Sequence, residues 1–465
     1  MQDLVIKNGR IIDTSQAVDV VGDLLVREGK IEAIVPGNQS EVGAGYDGLF
    51  VIDATSCIVS PGFIDLHTHL REPGYEDKET VATGTAAAAV GGFTTVCCMP
   101  NTNPAIDSLA TLKHVRRLAE DGAVRVLPIA AITKKREGKE LSEMGELARG
   151  GAVGFSDDGR PVPNSRVMRY ALEYSRMLDK PIIAHCEDLD LVKGGVMNEG
   201  LVATKLGLAG MPVAAEDIVV ARDIALAETV GGRLHIAHVS TKGAVELIRR
   251  AKVKGLAVTA EVTPHHLTLT EDWVAGQRGN WGIEFPYLGV MAPYDTNTKV
   301  NPPLRTNADI QALIEGLRDG TIDAIATDHA PHTVVDKKCE YDLAEFGISG
   351  LETALGALMP LVHRGEIDIN LLVEKLTVGA AKVIGLPFGT LQKGASADIA
   401  IFSPDEVWTV EPERFVSKGK NTPLAGMSLR GKVICTVVSG KVAYLDEMRC
   451  KLGAKLDRVE RLAET

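Results

Sequence analysis

Apolar residues follow two different patterns along the chain. Over residues 1 to about 60, short apolar runs alternate with Gly-containing turns. Leu4-Val5-Ile6, Asp23-Leu24-Leu25-Val26, Lys30-Ile31-Glu32-Ala33-Ile34-Val35 and Leu49-Phe50-Val51-Ile52-Asp53 are examples, and such runs read as strands. The same pattern returns at 397–402 and 431–442. Neither end holds enough strands for a sandwich by itself. The two are therefore expected to pack together as a small β-sandwich domain, 1–60 plus 388–445, with the middle of the chain inserted between its halves.

From residue 61 to 387 short apolar strands alternate with longer stretches of helical periodicity, the signature of βαβ units and a parallel sheet. The helical stretches run from Glu79 to Val90, Ser108 to Asp121, Ser165 to Leu178, Ala215 to Thr229 and Gly243 to Lys254. Candidate strands end near His69, Pro100, Thr133, Asp158, Glu187, Ser240, His265 and His329. Eight such units closing on themselves predict an α/β fold of the TIM-type (β/α)8 barrel class. An excursion from Trp273 to Pro303 lengthens it, and a charged tail, 446–465, follows the β domain.

Composition narrows the partners. A formal net charge of -12 over 465 residues argues against general affinity for nucleic acid or anionic membranes. It leaves room for an anionic small substrate, which a few local donors would bind. The seven cysteines include no C-x-x-C, and most lie in apolar runs, so a reducing cytoplasm is expected. No apolar run approaches the roughly 20 residues of a membrane helix.

The strand ends carry the chemistry. In a barrel of this kind the active site lies at the C-terminal mouth. His67 and His69 stand at i and i+2 where the first strand runs out, so both imidazoles face one way. The fourth strand ends in Asp157-Asp158, the fifth in His185, the sixth in His238 and the eighth in Asp328-His329. Singly, each admits a structural reading: a satisfied core histidine, or a turn carboxylate before Gly159. Together, at one end of five strands, they predict a metal centre. Four imidazoles and two carboxylates exceed the needs of one tetrahedral zinc. They suit two ions about 3.5–4 Å apart, which generate hydroxide near neutral pH for attack on a carbonyl.

The motifs resemble those of the amidohydrolase superfamily and, within it, the dihydroorotases of the bacterial type I group. They are His67-Thr68-His69-Leu70-Arg71, Cys98-Met99-Pro100-Asn101-Thr102, Gly154-Phe155-Ser156-Asp157-Asp158-Gly159, Asn301-Pro302-Pro303-Leu304-Arg305, Thr327-Asp328-His329-Ala330-Pro331-His332 and Glu345-Phe346-Gly347-Ile348-Ser349-Gly350-Leu351-Glu352. The resemblance implies that His67, His69 and Asp328 hold one Zn2+ and that His185 and His238 hold a second. A strand-4 group bridges them. In many relatives that group is a carboxylated lysine, but no lysine lies between Ala152 and Pro163. Asp158 is the expected bridge, with Asp157 the alternative. A short aspartate reaches less far than a carboxylated lysine, so the second ion is the less firmly held.

The resemblance also implies a substrate, L-dihydroorotate or N-carbamoyl-L-aspartate. Arg71, Asn101 and His332 would take its carboxylate. Asn301 and the backbone at Phe346 and Gly347 would meet the ring, with His69 and Leu70 in the same contact set. Asp328 would move the proton. A homodimer is expected, and association with aspartate transcarbamoylase lies within what the resemblance implies. Two other readings stay open: a different cyclic amidohydrolase (allantoinase, hydantoinase or dihydropyrimidinase), and a non-catalytic partner of aspartate transcarbamoylase.

Overall fold

The strand Phe63–Thr68 is buried along its whole length, so its alternation sorts residues between two packed faces. Ile64 and Leu66 join an apolar cluster with Cys97, Ala324, Ala380 and Ile384. Asp65 and His67, on the other face, meet polar groups. The computed structural model describes residues 3–37, 49–278 and 292–446.

Phe63–Thr68 pairs in parallel with Phe93–Cys98, which pairs with Arg125–Pro128. Parallel bridges Ala130–Phe155 and Phe155–Ile182 carry the order onward. Ile182–Ala184, Leu234–Ile236, Val258–Val262 and Ala324–Ile325 continue it, all parallel. The bridge Thr68–His329 returns to the first strand. Parallel strands returning on themselves, with helical crossovers, make a TIM-type barrel.

Helix starts follow the side-chain chemistry. Thr80, Ser108, Asn164 and Thr241 cap Val81–Val90, Leu109–Leu118, Ser165–Met177 and Lys242–Val253, each accepting a hydrogen bond from a first-turn N–H. Several strand ends fall short of expectation: the fifth, sixth and eighth stop at Ala184, Ile236 and Ile325, not near Glu187, Ser240 and His329. The third strand stops at Pro128 and not near Thr133. The fourth is reduced to the bridges at Phe155, so Asp158 lies in a loop. The seventh stops at Val262, because Thr263 caps and Pro264 opens a short helix, Pro264–Thr268, that carries His265 and His266.

The strands of both chain ends lie in one mixed sheet. Its order is Lys441–Leu445, Ser428–Val438, Ile399–Thr409, Ile58–Pro61, Leu4–Asp13, Val18–Arg27 and Lys30–Pro36, with Phe50–Asp53 also on Leu4–Asp13. The antiparallel pairing of Ile401 with Val59 joins the two ends. Leu4, Ile6, Leu24, Val59, Ile399 and Val437 share an apolar core distinct from that of the barrel. The excursion from Trp273 to Pro303 is described only outside 279–291, and the tail beyond residue 446 lies outside the described residues. Among the described residues no helix is long and apolar enough to cross a membrane.

Candidate metal centre and binding cavity

Asp158 stands among four imidazoles. Its Oδ1 lies 3.2 Å from His67 Nε2, 3.7 Å from His185 Nδ1 and 3.8 Å from His238 Nε2, and its Oδ2 lies 3.6 Å from His69 Nε2. Asp328 Oδ1 is 3.0 Å from His69 Nε2 and 3.6 Å from His67 Nε2. Among the described residues, two three-residue groups are close enough to hold an ion: His67, Asp158 and His238, and His67, His69 and Asp328. Asp157 is turned away, its carboxylate accepting from the backbone and side chain of Thr133.

The electrostatics call for positive charge at the centre. Burial pushes the His67 imidazole down, but Asp158 and Asp328 outweigh it and hold it well above its ordinary value. His185 is likewise lowered by burial yet raised to about 10 by its bonds to Asp158 and Glu187. Burial raises Asp158, and the imidazoles of His67, His185 and His238 bring it well below the usual carboxylate range. Asp157, facing no imidazole, is pushed up to about 6 by burial. His67 Nε2 and His238 Nδ1 are buried with no hydrogen-bond partner. An orphaned buried nitrogen costs about 1–3 kcal/mol unless something binds it. Buried donors, orphaned nitrogens and a demand for cations fit a divalent metal centre.

The ring orientations are set from behind. His67 Nδ1 lies 2.8 Å from Glu261 Oε1, and Glu261 Oε2 lies 3.1 Å from His235 Nε2. A carboxylate only accepts, so both imidazoles donate to it and His67 presents Nε2 to the centre. His69 Nδ1 is 2.9 Å from Asn101 Oδ1, which leaves its Nε2 toward Asp328. Asp65 accepts from Thr327 N and Oγ1 and from His67 N, tying the eighth strand end to the first. Glu261, Asp65 and Glu187 escaped the sequence reading. Their signal was an acidic residue inside a short apolar strand, or, for Glu187, just past its end.

Beside the cluster lies a cavity of about 240 Å³. Its lining includes His69, Arg71, Asn101, Asp158, His185, His238, Asn301, Asp328, His332, Phe346 and Gly347. His67 is fully buried and does not line it. The Leu70 side chain does not line the cavity but packs in the barrel's apolar core, its Cδ2 so close to Gly84 that an added Cβ there would sit 2.6 Å away. In the strand exit after His69 alternation turns the next side chain to the other face.

Arg71, His332 and Glu345 also line this cavity. His332 lies against Arg71 and Lys78; its Nε2 is 2.9 Å from the Phe346 carbonyl and its Nδ1 is 3.3 Å from Lys78 Nζ. Burial, then Arg71, Lys337 and Lys78, push its pKa down to about 2, so the ring is neutral. It donates from Nε2 to Phe346 and accepts at Nδ1. Asn301 lines the cavity and donates to Glu187 Oε1 at 2.9 Å. Gly347 has φ +144, and an added Cβ would meet Ala330 at 2.7 Å, so glycine is required there. His266 bonds Thr263 and the Pro302 carbonyl, while His265 Nε2 is buried without a partner.

Barrel, mixed sheet and His/Asp cluster together define a metal-dependent hydrolase of the amidohydrolase class, and residues 250–444 match the Amidohydrolase family model. Residues 56–244 match the Dihydro-orotase-like family model. A dihydroorotase from Syntrophus aciditrophicus is 49% identical over 96% of this chain and 100% of its own length. One from Pelotomaculum thermopropionicum is 51% identical over 96% of this chain and 99% of its own. Among solved structures, the L-hydantoinase (dihydropyrimidinase) from Arthrobacter aurescens superposes with a TM-score of 0.81 at 28% identity, covering 95% of this chain and 96% of that one. The chain belongs to the dihydroorotase family.

Proposed function

We propose that this chain is a dihydroorotase: it interconverts N-carbamoyl-L-aspartate and L-dihydroorotate plus water, a step of de novo pyrimidine (UMP) synthesis. The observation that carries this reading is the cavity's lining. A His/Asp cluster suited to hydrolytic chemistry and Arg71 with a neutral His332 line the same cavity. A cyclic amide bearing a carboxylate matches both sets of groups.

His67, His69 and Asp328 would hold one zinc ion and His185 and His238 a second, with Asp158 between them. Such ions polarise a carbonyl and bring the pKa of water toward 7. Arg71 pairs with the substrate carboxylate, and the peptide groups at Phe346 and Gly347 with Asn301 meet the ring's polar edge. Asn101 serves the same pocket while orienting His69. Asp328 is the proton carrier. Burial raises its carboxyl, but His67 and His69 hold it far below the usual carboxylate range, so it is an acceptor at neutral pH. In hydrolysis it takes the proton of the attacking water and delivers it to the ring nitrogen as the C–N bond breaks; in synthesis the steps reverse.

The hydantoinase reading rests on fold likeness, and the strand-4 position speaks against it, since Asp158 stands where those relatives are read to carry a lysine. Side-by-side assays with dihydroorotate, allantoin and hydantoin, before and after chelation, test the proposal. Turnover of dihydroorotate alone, lost on chelation and restored by zinc, is expected. Faster hydrolysis of hydantoin or allantoin would overturn it. Arg71→Ala should raise the KM for dihydroorotate about 10- to 100-fold, the worth of a hydrogen-bonded charge; an unchanged KM would remove Arg71 from the carboxylate site.

The same reading divides the chain into a β domain, 1–60 plus 388–445, a (β/α)8 hydrolase barrel, 61–387, and a tail, 446–465. A homodimer is proposed, with aspartate transcarbamoylase as a candidate partner. A reducing, cytoplasmic location is proposed, in keeping with cysteines packed in the apolar core, such as Cys97, Cys98 and Cys186.

A further inference from the structure

Asn421, from a distant part of the chain, reaches the loops that line the substrate cavity. It lies between the short helical turn Pro412–Arg414 and the strand Ser428–Val438 of the mixed sheet. Its side chain is 4% exposed and uses all of its hydrogen-bonding capacity. Oδ1 accepts from His332 N at 2.9 Å and from Ser349 Oγ at 2.8 Å. Nδ2 donates to the carbonyls of Ala330 and Gly347, each at 3.0 Å. Its own carbonyl accepts from Ser349 N at 2.8 Å. A backbone N–H can only donate and a carbonyl can only accept, so the amide has one possible orientation.

These partners belong to two loops. One, after the eighth strand, carries Ala330 and His332; the other carries Phe346 and Gly347. Both line the cavity. The loops also meet each other through the bond between His332 Nε2 and the Phe346 carbonyl. The segment bearing Asn421 is itself anchored to the barrel. Glu352 accepts from Val416 N and Ser417 N, each at 3.0 Å, and the buried Glu79 accepts from Ser417 Oγ and Lys418 N. Gly419 packs so closely that an added Cβ would sit 2.4 Å from Pro331 Cβ.

We propose that Asn421 is a positioning residue for substrate binding: from the β-domain side of the molecule it clamps the two loops so that His332 and the Phe346–Gly347 peptide share one fixed geometry around the bound substrate. This rests on the functional reading above. Only an amide meets the requirement. Aspartate has the same shape but loses both donors and would face two carbonyl oxygens, and a hydroxyl cannot span four partners.

Asn421→Asp and Asn421→Ala test it in the full-length, metal-loaded protein. Both should raise the KM for dihydroorotate about tenfold or more, with kcat falling no more than about threefold and metal content unchanged. In Asn421→Ala, which removes the acceptor of the His332 amide, hydrogen exchange there should accelerate, while the segment around His67 and His69 keeps its protection. A KM within about twofold of the unsubstituted protein, or unaltered His332 exchange, would overturn the proposal. So would a lower melting temperature and kcat at constant KM, the mark of a merely structural residue. If the alanine variant does not fold, the isosteric aspartate supplies the measurement. If the unsubstituted protein fails to turn over dihydroorotate, the functional reading falls, and His332 exchange still decides the clamp.

Discussion

Asp328→Asn is expected to cut turnover of dihydroorotate by about 10²- to 10⁴-fold, the range typical of a lost general acid–base group. Asparagine keeps the size of the side chain and an oxygen for His69 Nε2, but it cannot accept and release a proton near neutral pH. The fold should survive, because the backbone at this strand end is held by other groups. Thr327 is bound by Asp65, and His329 by Glu79 and Gly350. Steady-state kinetics with saturating zinc, together with a thermal melt, check the expectation. Near-normal kcat in a folded variant would dismiss Asp328 as the proton carrier.

The second large effect is expected at Glu261, a residue that touches no substrate. Its carboxylate is fully buried between His67 and His235. Removing one partner of a buried, hydrogen-bonded charged group typically costs about 3–5 kcal/mol. Glu261→Ala would leave two imidazole donors facing an empty space, and it would free His67 to turn its ring. Loss of a carboxylate behind a metal-ligating histidine commonly weakens metal binding about 10- to 100-fold. Thermal unfolding and equilibrium metal content should therefore both fall. A variant with the melting temperature and metal content of the unsubstituted protein would exclude the role.

Glu261 also predicts a pH dependence. Burial raises its carboxyl, but the bonds from His235 and His67 outweigh this and bring it from 4.5 to about 2. A carboxyl depressed in the folded state stabilises the protein above its unfolded value and loses that contribution as pH falls through the folded one. Stability should thus decline between about pH 4.5 and 2, and the Ala variant should lack that component of the decline.

Much of the site was legible because it lies at strand ends. His67 and His69 share a face by strand periodicity alone, and His185, His238 and Asp328 each follow a short apolar run. The helix starts were legible for a local reason too, since a capping residue bonds within its own first turn. What stayed hidden involves choice between neighbours or contact across the chain. Asp157 and Asp158 are adjacent and chemically identical, and only the position of Thr133 shows which one turns away from the histidines. Leu70 belongs to the motif, yet packs on Gly84 instead of lining the cavity. Asn421 is separated from His332 by 89 positions, and nothing local marks it.

The amino-acid sequence by itself therefore determined the alternating strand and helix pattern, the residue types of the metal cluster and the family. Those depend on short-range periodicity and on motifs only a few residues long. Tertiary structure alone decided which carboxylate faces the imidazoles, which buried acid orients His67, and which distant amide joins the two loops beside the cavity. Periodicity specifies the face a side chain occupies, but its partner is chosen only when the barrel brings strands and loops from opposite ends of the chain within hydrogen-bonding distance.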